Sequence, residues 1–404
     1  MSTELKTPPI VPHAAVPPVT RRSVLQIVGL GSGVLAVAAA GGLTWRAIDG
    51  GVFASGTGPA YDAWGDAAPG GRPLSLVSAA VLAANAHNAQ PWLFTATGNR
   101  IDLFADTSRN TGTIDPLLRE MHLSLGCAIE NLAVAGPPNG ISASVSLMPD
   151  PADATHVASV TLSSRAPTHS ALFDAITSRH TNRGAYDTTR AVSSGQLDAL
   201  RALAEDDGTG LVWYTTATQK QAFSDLTLAA TEAIISDGQQ AADDYRWYRS
   251  TWDDVQQHKD GITIDPSGQS PLIRAVSKLI PTSQQQNSDG WLAGTRDTQL
   301  PTAAAFGALT VNDPRDRAQL LHAGRIWQRM HLSATVAGLA LQPLCQICER
   351  ADRETTTGQP KEFTDAIHAM LPAGSSPVMT FRIGYPVVTA PASPRRPAAD
   401  VIRA

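Results

Sequence analysis

Two stretches of sequence, LSLGCAIENLAVAGPPNG at residues 123–140 and LHAGRIWQRMHLSATVAG at residues 321–338, decide how this chain is organised. Gly126 in the first corresponds in position to Gly324 in the second, and a further glycine ends each stretch at the matching place. Both are rich in apolar residues at helical spacing, and a glycine within a buried helix lets another backbone approach closely. We therefore predict two related halves, each with one long helix, that pack against each other.

Short apolar runs bounded by turn residues flank both stretches and predict strands. The predicted strands are residues 92–96, 101–104, 142–148, 157–163, 211–214 and 378–383. The predicted helices are residues 74–86, 116–135, 171–178, 196–204, 218–236 and 316–340. The chain therefore mixes helices with strands.

The composition excludes several classes of protein. The chain has 404 residues, 43% of them hydrophobic, and a formal net charge of −5. That is enough apolar material for two or three domains or a fused pair, and the acidic balance argues against binding to nucleic acid. Three cysteines exclude a disulfide-rich scaffold. The sequence has no signature of P-loop nucleotide binding, of a Rossmann domain or of a serine hydrolase.

The N-terminal residues predict an export signal. Residues 1–19 are polar and proline-rich, and Arg21 and Arg22 follow. Residues 24–45 contain no charged residue. This pattern resembles a twin-arginine signal, with an ordinary N-terminal anchor as the alternative. It predicts a protein exported by the twin-arginine translocation machinery to the outside of the cytoplasmic membrane. Residues 24–45 would be either removed or kept as an anchor.

The remaining organisation follows from these boundaries. Residues 1–60 would be signal and linker, with glycine and proline extending the linker character to residue 72. Residues 61–168 would form the first half and residues 169–404 the second. Within the second half, residues 237–310 are polar and glutamine-rich and predict an insertion. Its aromatic residues could form a lid over a site or a satellite core under a long loop; they are Trp247, Tyr248, Trp252 and Trp291.

Three polar segments could carry chemistry. In the first, the amides of Asn88 and Gln90 precede Pro91-Trp92 and can both donate and accept hydrogen bonds, which suits the edge of a heteroaromatic ring. The alternative is a capped helix end that turns into a strand. In the second, Arg179-His180-Thr181-Asn182-Arg183, two guanidiniums flank a hydroxyl and match phosphate oxygens. The alternative is a solvated basic loop.

The third segment lies near the C-terminus. Arg382-Ile383-Gly384-Tyr385-Pro386 and the later pair Arg395-Arg396 could bring further positive charge to a phosphate, or form an edge strand and a basic tail.

Cys345-Gln346-Ile347-Cys348 has no partners at metal spacing and does not predict zinc. A redox dithiol there would need a thioredoxin-like helix start, which the pattern does not indicate. The histidines have no metal-ligand spacing, so we predict no metal site.

Taken together, these segments resemble the nitroreductase family of FMN proteins, and more closely its exported, fused-dimer Acg-like branch. Asn88 to Trp92 is similar to the family's N-x-Q-P-W segment, and Arg179 to Arg183 to its R-x-[ST]-x-[RK] segment. The stretch after Gly324 resembles the central dimer helix. The C-terminal strand with Arg395-Arg396 resembles the phosphate arm. The resemblance covers most of residues 73–397 outside the insertion.

The resemblance implies an α+β, nitroreductase-like fold and an FMN site shared between two halves. FMN phosphate and ribityl groups would be held by one set of side chains: Arg179, Thr181, Arg183, Arg395 and Arg396. The ring and ribityl would meet residues of the other half and backbone groups of one loop: Ala86, Asn88, Gln90, Gln342, Pro343 and Leu344. The flavin carries the hydride chemistry in this family, so we name no catalytic acid or base.

The sequence departs from the family pattern because each motif occurs once. N-x-Q-P-W lies only in the first half, and R-x-T-x-R opens only the second. We therefore expect one chain to form an internal pseudo-dimer, a monomer with one complete site and one degenerate site. The function would be electron transfer from NAD(P)H or another donor to a small nitroaromatic or quinone-like acceptor. The alternative is a non-catalytic protein that binds or sequesters FMN beneath a lid.

Overall fold

The computed structural model describes residues 56–66, 73–204, 208–278 and 281–403. They all belong to the structural unit Ala47–Ala404. The twin-arginine segment and the charge-free residues 24–45 lie outside the described residues. No helix among the described residues has the length and apolar character that a membrane crossing requires.

Strands of the described part form two antiparallel four-stranded sheets. The strands are β1 (Trp92–Thr97), β2 (Arg100–Ala105), β3 (Ile141–Leu147), β4 (His156–Ser164), β5 (Thr209–Tyr214), β6 (Ala305–Val311), β7 (Ala340–Pro343) and β8 (Ser376–Gly384). One sheet has the order β1-β2-β4-β3 and the other β5-β6-β8-β7. The two orders are equivalent, which confirms the predicted α+β fold with two related halves.

Helices connect and cover these sheets. They are α1 (Pro73–Ala80), α2 (Arg119–Ala135), α3 (Ala171–Asp174), α4 (Ser194–Arg201), α5 (Ala217–Ser236), α6 (Gly238–Tyr245), α7 (Trp252–His258), α8 (Pro271–Ser277), α9 (Gln284–Gly294), α10 (Arg317–Val336), α11 (Gln346–Thr357) and α12 (Glu362–His368). In both halves the long helix, α2 or α10, lies between the second and third strands. Each half thus has the same succession of two strands, a long helix and two strands.

The long helices α2 and α10 cross at their glycines. A Cβ atom on Gly126 would lie 2.1 Å from the carbonyl oxygen of Leu321, and one on Gly324 would lie 2.1 Å from that of Leu123. Only glycine permits so close a backbone approach. Beyond the crossing, Gln328 Nε2 donates to Asn131 Oδ1 at 2.7 Å in the buried interface. The predicted packing of the two long helices is therefore confirmed.

The C-terminus returns to the first half. The amide of Phe94 donates to the carbonyl of Val401 at 2.8 Å, and the amide of Arg403 donates to that of Phe94 at 2.8 Å. The last residues therefore extend the first sheet beyond β1. The predicted second half, residues 169–404, thus ends with a segment that packs on the first half.

The connections differ strongly between the halves. Gly98 and Asn99 join β1 to β2, whereas residues 215–304 join β5 to β6 and contain α5 to α9. Residues 148–155 join β3 to β4, whereas residues 344–375 join β7 to β8 and contain α11 and α12. The second half alone therefore carries large helical connections.

Two sequence-based boundaries need correction. The insertion predicted at residues 237–310 cannot reach residue 310, because Ala305–Val311 is the fully buried strand β6. The predicted linker is also packed in part: residues Pro59–Trp64 form a short 3-10 helix with Ala60 buried. Trp64 Nε1 donates to the carbonyl of Ser393 at 2.8 Å. This segment therefore packs against residues 390–403, which we call the C-terminal arm.

Candidate functional site

A cavity of about 700 Å³ lies between elements of both halves. Its walls come from the turn before β1, α2, the loop after α3, the connection between β5 and β6, α10, the start of α11 and the C-terminal arm. The volume is in the range of sites for small molecules and cofactors. The cavity therefore gathers segments that the sequence analysis treats as separate candidates.

The turn before β1 has an unusual backbone. His87, Asn88 and Gln90 adopt positive φ angles of 50°, 53° and 53°, although none of them is glycine. Surrounding bonds hold this shape, since the amide of Gln90 donates to Asn85 Oδ1 at 2.8 Å and that of Ala86 to Ser124 Oγ at 3.0 Å. Such backbone strain persists only where neighbouring structure enforces it, and it is concentrated at functional sites.

Ala86 and Asn88 line the cavity, whereas Gln90 does not. Asn88 Nδ2 donates to the carbonyl of Pro394 at 2.9 Å, and Asn88 Oδ1 accepts from Arg395. Asn88 is therefore joined to the C-terminal arm.

Gln90 and Arg396 contact each other outside the cavity. Gln90 is fully buried and accepts the amide of Arg396 on Oε1 at 2.8 Å. The Arg396 side chain donates to the carbonyls of Gln90 and Trp92 at 3.1 and 3.3 Å. In this arrangement the two residues fix the arm to the turn and do not face the cavity.

Arg179 lines the cavity with 1% of its surface exposed. Its Nη2 donates to the carbonyl of Leu82 at 3.0 Å, and its buried Nε has no hydrogen-bond partner among the described residues. Burial lowers the pKa of Arg179 to about 10, because no carboxylate offsets the loss of hydration. A buried guanidinium in this state is stabilised by an anion.

Arg395 reaches the same cavity from the C-terminal arm. It is buried, with Nη2 bound to the carbonyl of Ala83 at 3.2 Å and with Nε unpartnered within the described part of the chain. Burial and the nearby Arg179 lower the pKa of Arg395. Like Arg179, Arg395 forms no ion pair with a described carboxylate. The two arginines come from distant segments of the sequence and line the same cavity.

His180 adds a third group to this end of the cavity. Its Nδ1 lies 2.8 Å from the carbonyl of Ala390, and its ring meets Trp64 edge-on. Burial, with Arg179 and Arg395 as lesser causes, lowers the pKa of His180 to about 4. We call Arg179, His180 and Arg395 the arginine subsite.

Thr181 and Arg183 continue the lining beyond the arginine subsite. The amide of Arg183 donates to the carbonyl of Pro266 at 2.9 Å. The next residue, Gly184, lies so close to Gly268 that a Cβ on either would be within 3 Å of the other's Cα. Burial lowers the pKa of Arg183, and Asp244 opposes this effect. Arg183 therefore lies closer to acidic residues than Arg179 does.

Gln342, Pro343 and Leu344 line the cavity, but their polar groups are largely engaged. The Gln342 side chain accepts from Arg382 Nε at 2.6 Å and donates to Gln299 Oε1 at 3.0 Å. The amide of Leu344 donates to the carbonyl of Thr380 at 2.7 Å, and proline has no amide hydrogen. This segment therefore lines the cavity without offering the Leu344 amide as a free hydrogen-bond donor.

Arg382 does not line the cavity. It is fully buried, donates to the carbonyl of Gly184 at 2.6 Å and stacks on Tyr186, with 3.8 Å between the guanidinium carbon and the ring centre. Arg382 therefore positions the loop that carries Arg179 to Arg183. Arg382 therefore does not bring to the cavity the positive charge that its segment could have supplied, and it instead lies in a strand as the alternative interpretation has it.

The connection between β5 and β6 lines the cavity and contacts both the turn before β1 and Arg183. His87 Nε2 lies 2.9 Å from Asp244 Oδ1, and Gln90 Nε2 donates to the carbonyl of Lys259 at 2.9 Å. Of the four predicted lid aromatics, Tyr248 and Trp291 line the cavity.

The other two aromatics pack away from the cavity. Trp247 is buried with Arg109 and Arg249 over its ring, and Trp252 stacks on Tyr61. The lid and satellite-core interpretations thus each describe two of the four residues.

Two lining residues, Glu120 and Glu349, belong to no motif that the sequence indicates. Glu120 lies in the first turn of α2, and Glu349 lies at the start of α11, next to Cys345 and Gln346, which also line the cavity. The only sequence signal is the charged Glu120 at the start of the otherwise apolar α2. Cys345 does precede a helix, contrary to expectation, but burial raises the pKa of Cys345 and raises that of Cys348 to about 12. Both therefore remain thiols rather than reactive thiolates.

The amino-acid sequence is similar to that of curated mycobacterial proteins. A Mycobacterium tuberculosis protein, Rv3131, is 27% identical over 342 residues, which cover 81% of this chain and 90% of the relative. The acg protein of the same organism is 26% identical over 343 residues, covering 81% of this chain and 94% of the relative. Both names assign these relatives to the NAD(P)H nitroreductases. No protein-family model matches the chain.

Solved structures give more distant matches. The FMN-dependent nitroreductase NfnB from Mycobacterium smegmatis, in complex with NADPH, matches at a TM-score of 0.36 and 16% identity, covering 58% of this chain and 97% of that one. A Desulfitobacterium hafniense nitroreductase with bound FMN matches at 0.35 and 13%, covering 59% and 99%. The sequence similarity to the mycobacterial relatives over four fifths of the chain supports the nitroreductase family that the motifs predict.

Proposed function

We propose that this protein is an FMN-dependent oxidoreductase of the nitroreductase kind. The observation that carries the proposal is the arginine subsite, in which two buried guanidiniums face a cavity without a carboxylate partner in the described part of the chain. Burying two such charges side by side is costly unless an anion joins them. A phosphate group has the charge and the acceptor oxygens that both unpartnered Nε atoms require.

The rest of the cavity is consistent with the remainder of FMN. Arg179 and Arg395 would hold the phosphate, with Thr181 and Arg183 along the ribityl chain. The strained turn with Ala86 and Asn88 would meet the ring from the first half. Gln342, Pro343 and Leu344 would pack beside it from the second. Bound FMN would supply hydride and electron transfer, while the protein orients it and excludes water.

The names of the mycobacterial relatives support NAD(P)H as the electron donor. The acceptor would be a small oxidised molecule such as a nitroaromatic or a quinone.

The test is an anaerobic spectral titration of the purified full chain with NADPH. We expect FMN to co-purify or to reconstitute, and its visible absorbance to bleach on addition of NADPH. Absence of flavin binding after reconstitution would reject the FMN assignment together with the residue roles.

A flavin-sequestering protein is the alternative, and the covering connection favours it. Tyr248 and Trp291 line the cavity from that side, and the His87–Asp244 contact joins the cover to the strained turn. A cover that stays closed would bind FMN but exclude nicotinamide. The same titration separates the two functions, since bound flavin that dithionite reduces and NADPH does not would favour sequestration.

We also propose that the chain is exported through the twin-arginine pathway and works as a monomer. The support for export is the Arg21-Arg22 segment with its uncharged continuation. A reporter fused after residue 60 should reach the outside of the cytoplasmic membrane, and a double Arg21→Lys, Arg22→Lys variant should remain inside. Light scattering of the purified protein should give the mass of one chain, because the two related halves already pack on each other.

A further inference from the structure

A second set of polar residues lines the cavity, and the proposed function assigns them no role. Glu120 belongs to α2 of the first half, and Gln346 and Glu349 belong to α11 of the second. Their exposed fractions are 5%, 4% and 7%. We call these three residues the carboxyl subsite. Because buried carboxyl and amide groups are normally hydrogen-bonded, the partners that they lack indicate what the subsite can bind.

Two acceptor oxygens of the carboxyl subsite have no donor. Glu120 Oε1 and Gln346 Oε1 are buried, and neither accepts a hydrogen bond from the described residues. Arg119 Nη2 forms an ion pair with Glu120 Oε1 at 3.5 Å but donates no hydrogen bond to it. Arg119 is instead bound to Asp352 Oδ2 at 2.8 Å and to the carbonyl of Val378 at 2.7 Å. The surrounding protein therefore donates no hydrogen bond to either oxygen, and a bound molecule with N–H groups could do so.

The charge of the subsite is negative. Burial and the neighbouring Glu120 raise the pKa of Glu349, because a second negative charge beside Glu120 is unfavourable. The charged groups near the subsite include Arg119, which pairs with Asp352, and Asp115, whose carboxylate accepts the amide of Glu120. They also include the His87–Asp244 pair, and Arg183, which interacts with both Asp244 and Glu349. The thiols of Cys345 and Cys348 add no charge, because burial raises the pKa of both.

The two subsites stay apart within one cavity. Neither Arg179 nor Arg395 forms an ion pair with a described carboxylate, and the charges that influence the pKa of each do not include Glu120 or Glu349. The cavity therefore has a positive end and a negative end. Leu123 follows Glu120 by one helical turn on the same face of α2 and also lines the cavity. It offers an apolar surface beside the unpartnered oxygens.

We propose that the carboxyl subsite binds the cationic, N–H-bearing end of a planar organic molecule, such as an aromatic amidine or guanidine. An amidinium group has in-plane N–H donors for Glu120 Oε1 and Gln346 Oε1, and its charge complements the carboxyl pair. Its flat body would lie against Leu123. This inference stands on residues outside the arginine subsite, so it does not depend on which anion binds there.

The experiment compares benzamidine with benzamide, its neutral isostere, by calorimetric titration of the purified full chain. We expect benzamidine to bind at least tenfold more tightly than benzamide, with or without added FMN. Glu120→Gln should weaken benzamidine binding at least tenfold and leave benzamide unchanged, because it removes the charge and retains the shape. Glu362→Gln, an exposed change in α12, is the matched control and should leave both affinities unchanged.

Equal binding of the two compounds, or a Glu120→Gln variant with unchanged affinity for benzamidine, would overturn the proposal. Thermal unfolding of each variant verifies that it is folded. If Glu120→Gln does not fold, Gln346→Met removes the second acceptor and leaves both carboxyl groups in place. It should still weaken benzamidine binding several-fold, and unchanged affinity would count equally against the subsite. Since benzamidine binding is the readout, a failure to bind FMN would reject only the proposed function.

Discussion

The two halves of this protein share a sheet order and differ in what connects the strands. In the first half, β1 and β2 meet at a tight turn; in the second, the equivalent strands β5 and β6 are separated by residues 215–304. The long helices α2 and α10 cross at a pair of equivalent glycines. The shared features build the scaffold, and the unshared connections form much of the cavity wall.

The two halves of this internal pseudo-dimer also differ in their motifs. The N-x-Q-P-W motif that contains Asn88 occurs once, in the first half, and the R-x-T-x-R motif that begins at Arg179 occurs once, in the second. Residues of both motifs line the same cavity. A duplicated scaffold can therefore keep its symmetric interface for stability, while one side acquires the helical cover and the polar residues of a site.

The largest expected effect is at the symmetric crossing. Gly126→Val places side-chain atoms where the carbonyl of Leu321 lies, so the helices must separate. We expect the free energy of unfolding to fall by at least about 4 kcal/mol, or the chain not to fold. Urea unfolding followed by tryptophan fluorescence measures this. Gly195→Ala, in α4 with no atom within 4 Å of the added Cβ, should be neutral or stabilising; an equal loss there would contradict the special role of the crossing.

A second prediction concerns the asymmetric site alone. Arg179→Met should weaken FMN binding by about 100-fold, equivalent to about 2.7 kcal/mol. It should leave the FMN-free protein as stable or more stable, because it removes a buried charge without a carboxylate partner. Fluorescence titration and thermal unfolding measure the two effects. Arg315→Met, an exposed change, should alter neither, and a strongly destabilised Arg179→Met protein would point to a structural role for the arginine.

The stability of the protein should also depend on pH through one residue of the site, His180. Because His180 has a folded pKa of about 4 and an unfolded value of 6.5, the unfolded chain binds more protons between these values. Stability is therefore lost as the pH falls from about 6.5 towards 4, by about 2 kcal/mol at pH 5 from this residue. Urea unfolding at pH 7.5 and 5 tests it. His180→Gln should show a smaller difference between the two conditions than the parent protein does.

The smallest expected effect returns to the interface of the long helices. Glu130 of α2 is buried and accepts from Arg325 and Arg329 of α10, whose side chains are 26% and 44% exposed. Arg329→Ala should lower the free energy of unfolding by about 0.5 kcal/mol, since Arg325 keeps the carboxylate paired. Added salt should reduce the difference. A loss comparable to that of Gly126→Val would mean that charge pairing dominates the interface.

Much of the fold is predictable because its periodic elements are long or flanked by clear turns. The long helices and most strands follow from apolar spacing and from Gly98-Asn99. Strand β6 is missed because all seven of its residues are buried, so no polar alternation marks it. Strand β7 has four residues directly after a helix and reads as the end of that helix.

The site is predictable only in part. Arg179, Arg395 and Asn88 can be named beforehand because guanidinium and amide groups occur in recognisable motifs. Their local partners cannot, since Gln90 and Arg396 meet only after the C-terminal arm folds back. Glu120 and Glu349 carry no motif at all. They lie close together because α2 and α11, which belong to separate halves, begin next to each other in the folded chain. No local sequence pattern encodes that proximity.

The return of the C-terminal arm to the first half also bears on how the chain folds. The side chain of Arg395 donates to Asn88, a residue 307 positions earlier in the sequence, and the amide of Arg403 donates to the carbonyl of Phe94. The arginine subsite cannot form before these distant segments meet, and contacts of such long sequence separation form slowly. A chain cut before Arg395 would lose one guanidinium of the arginine subsite together with the bonds to β1.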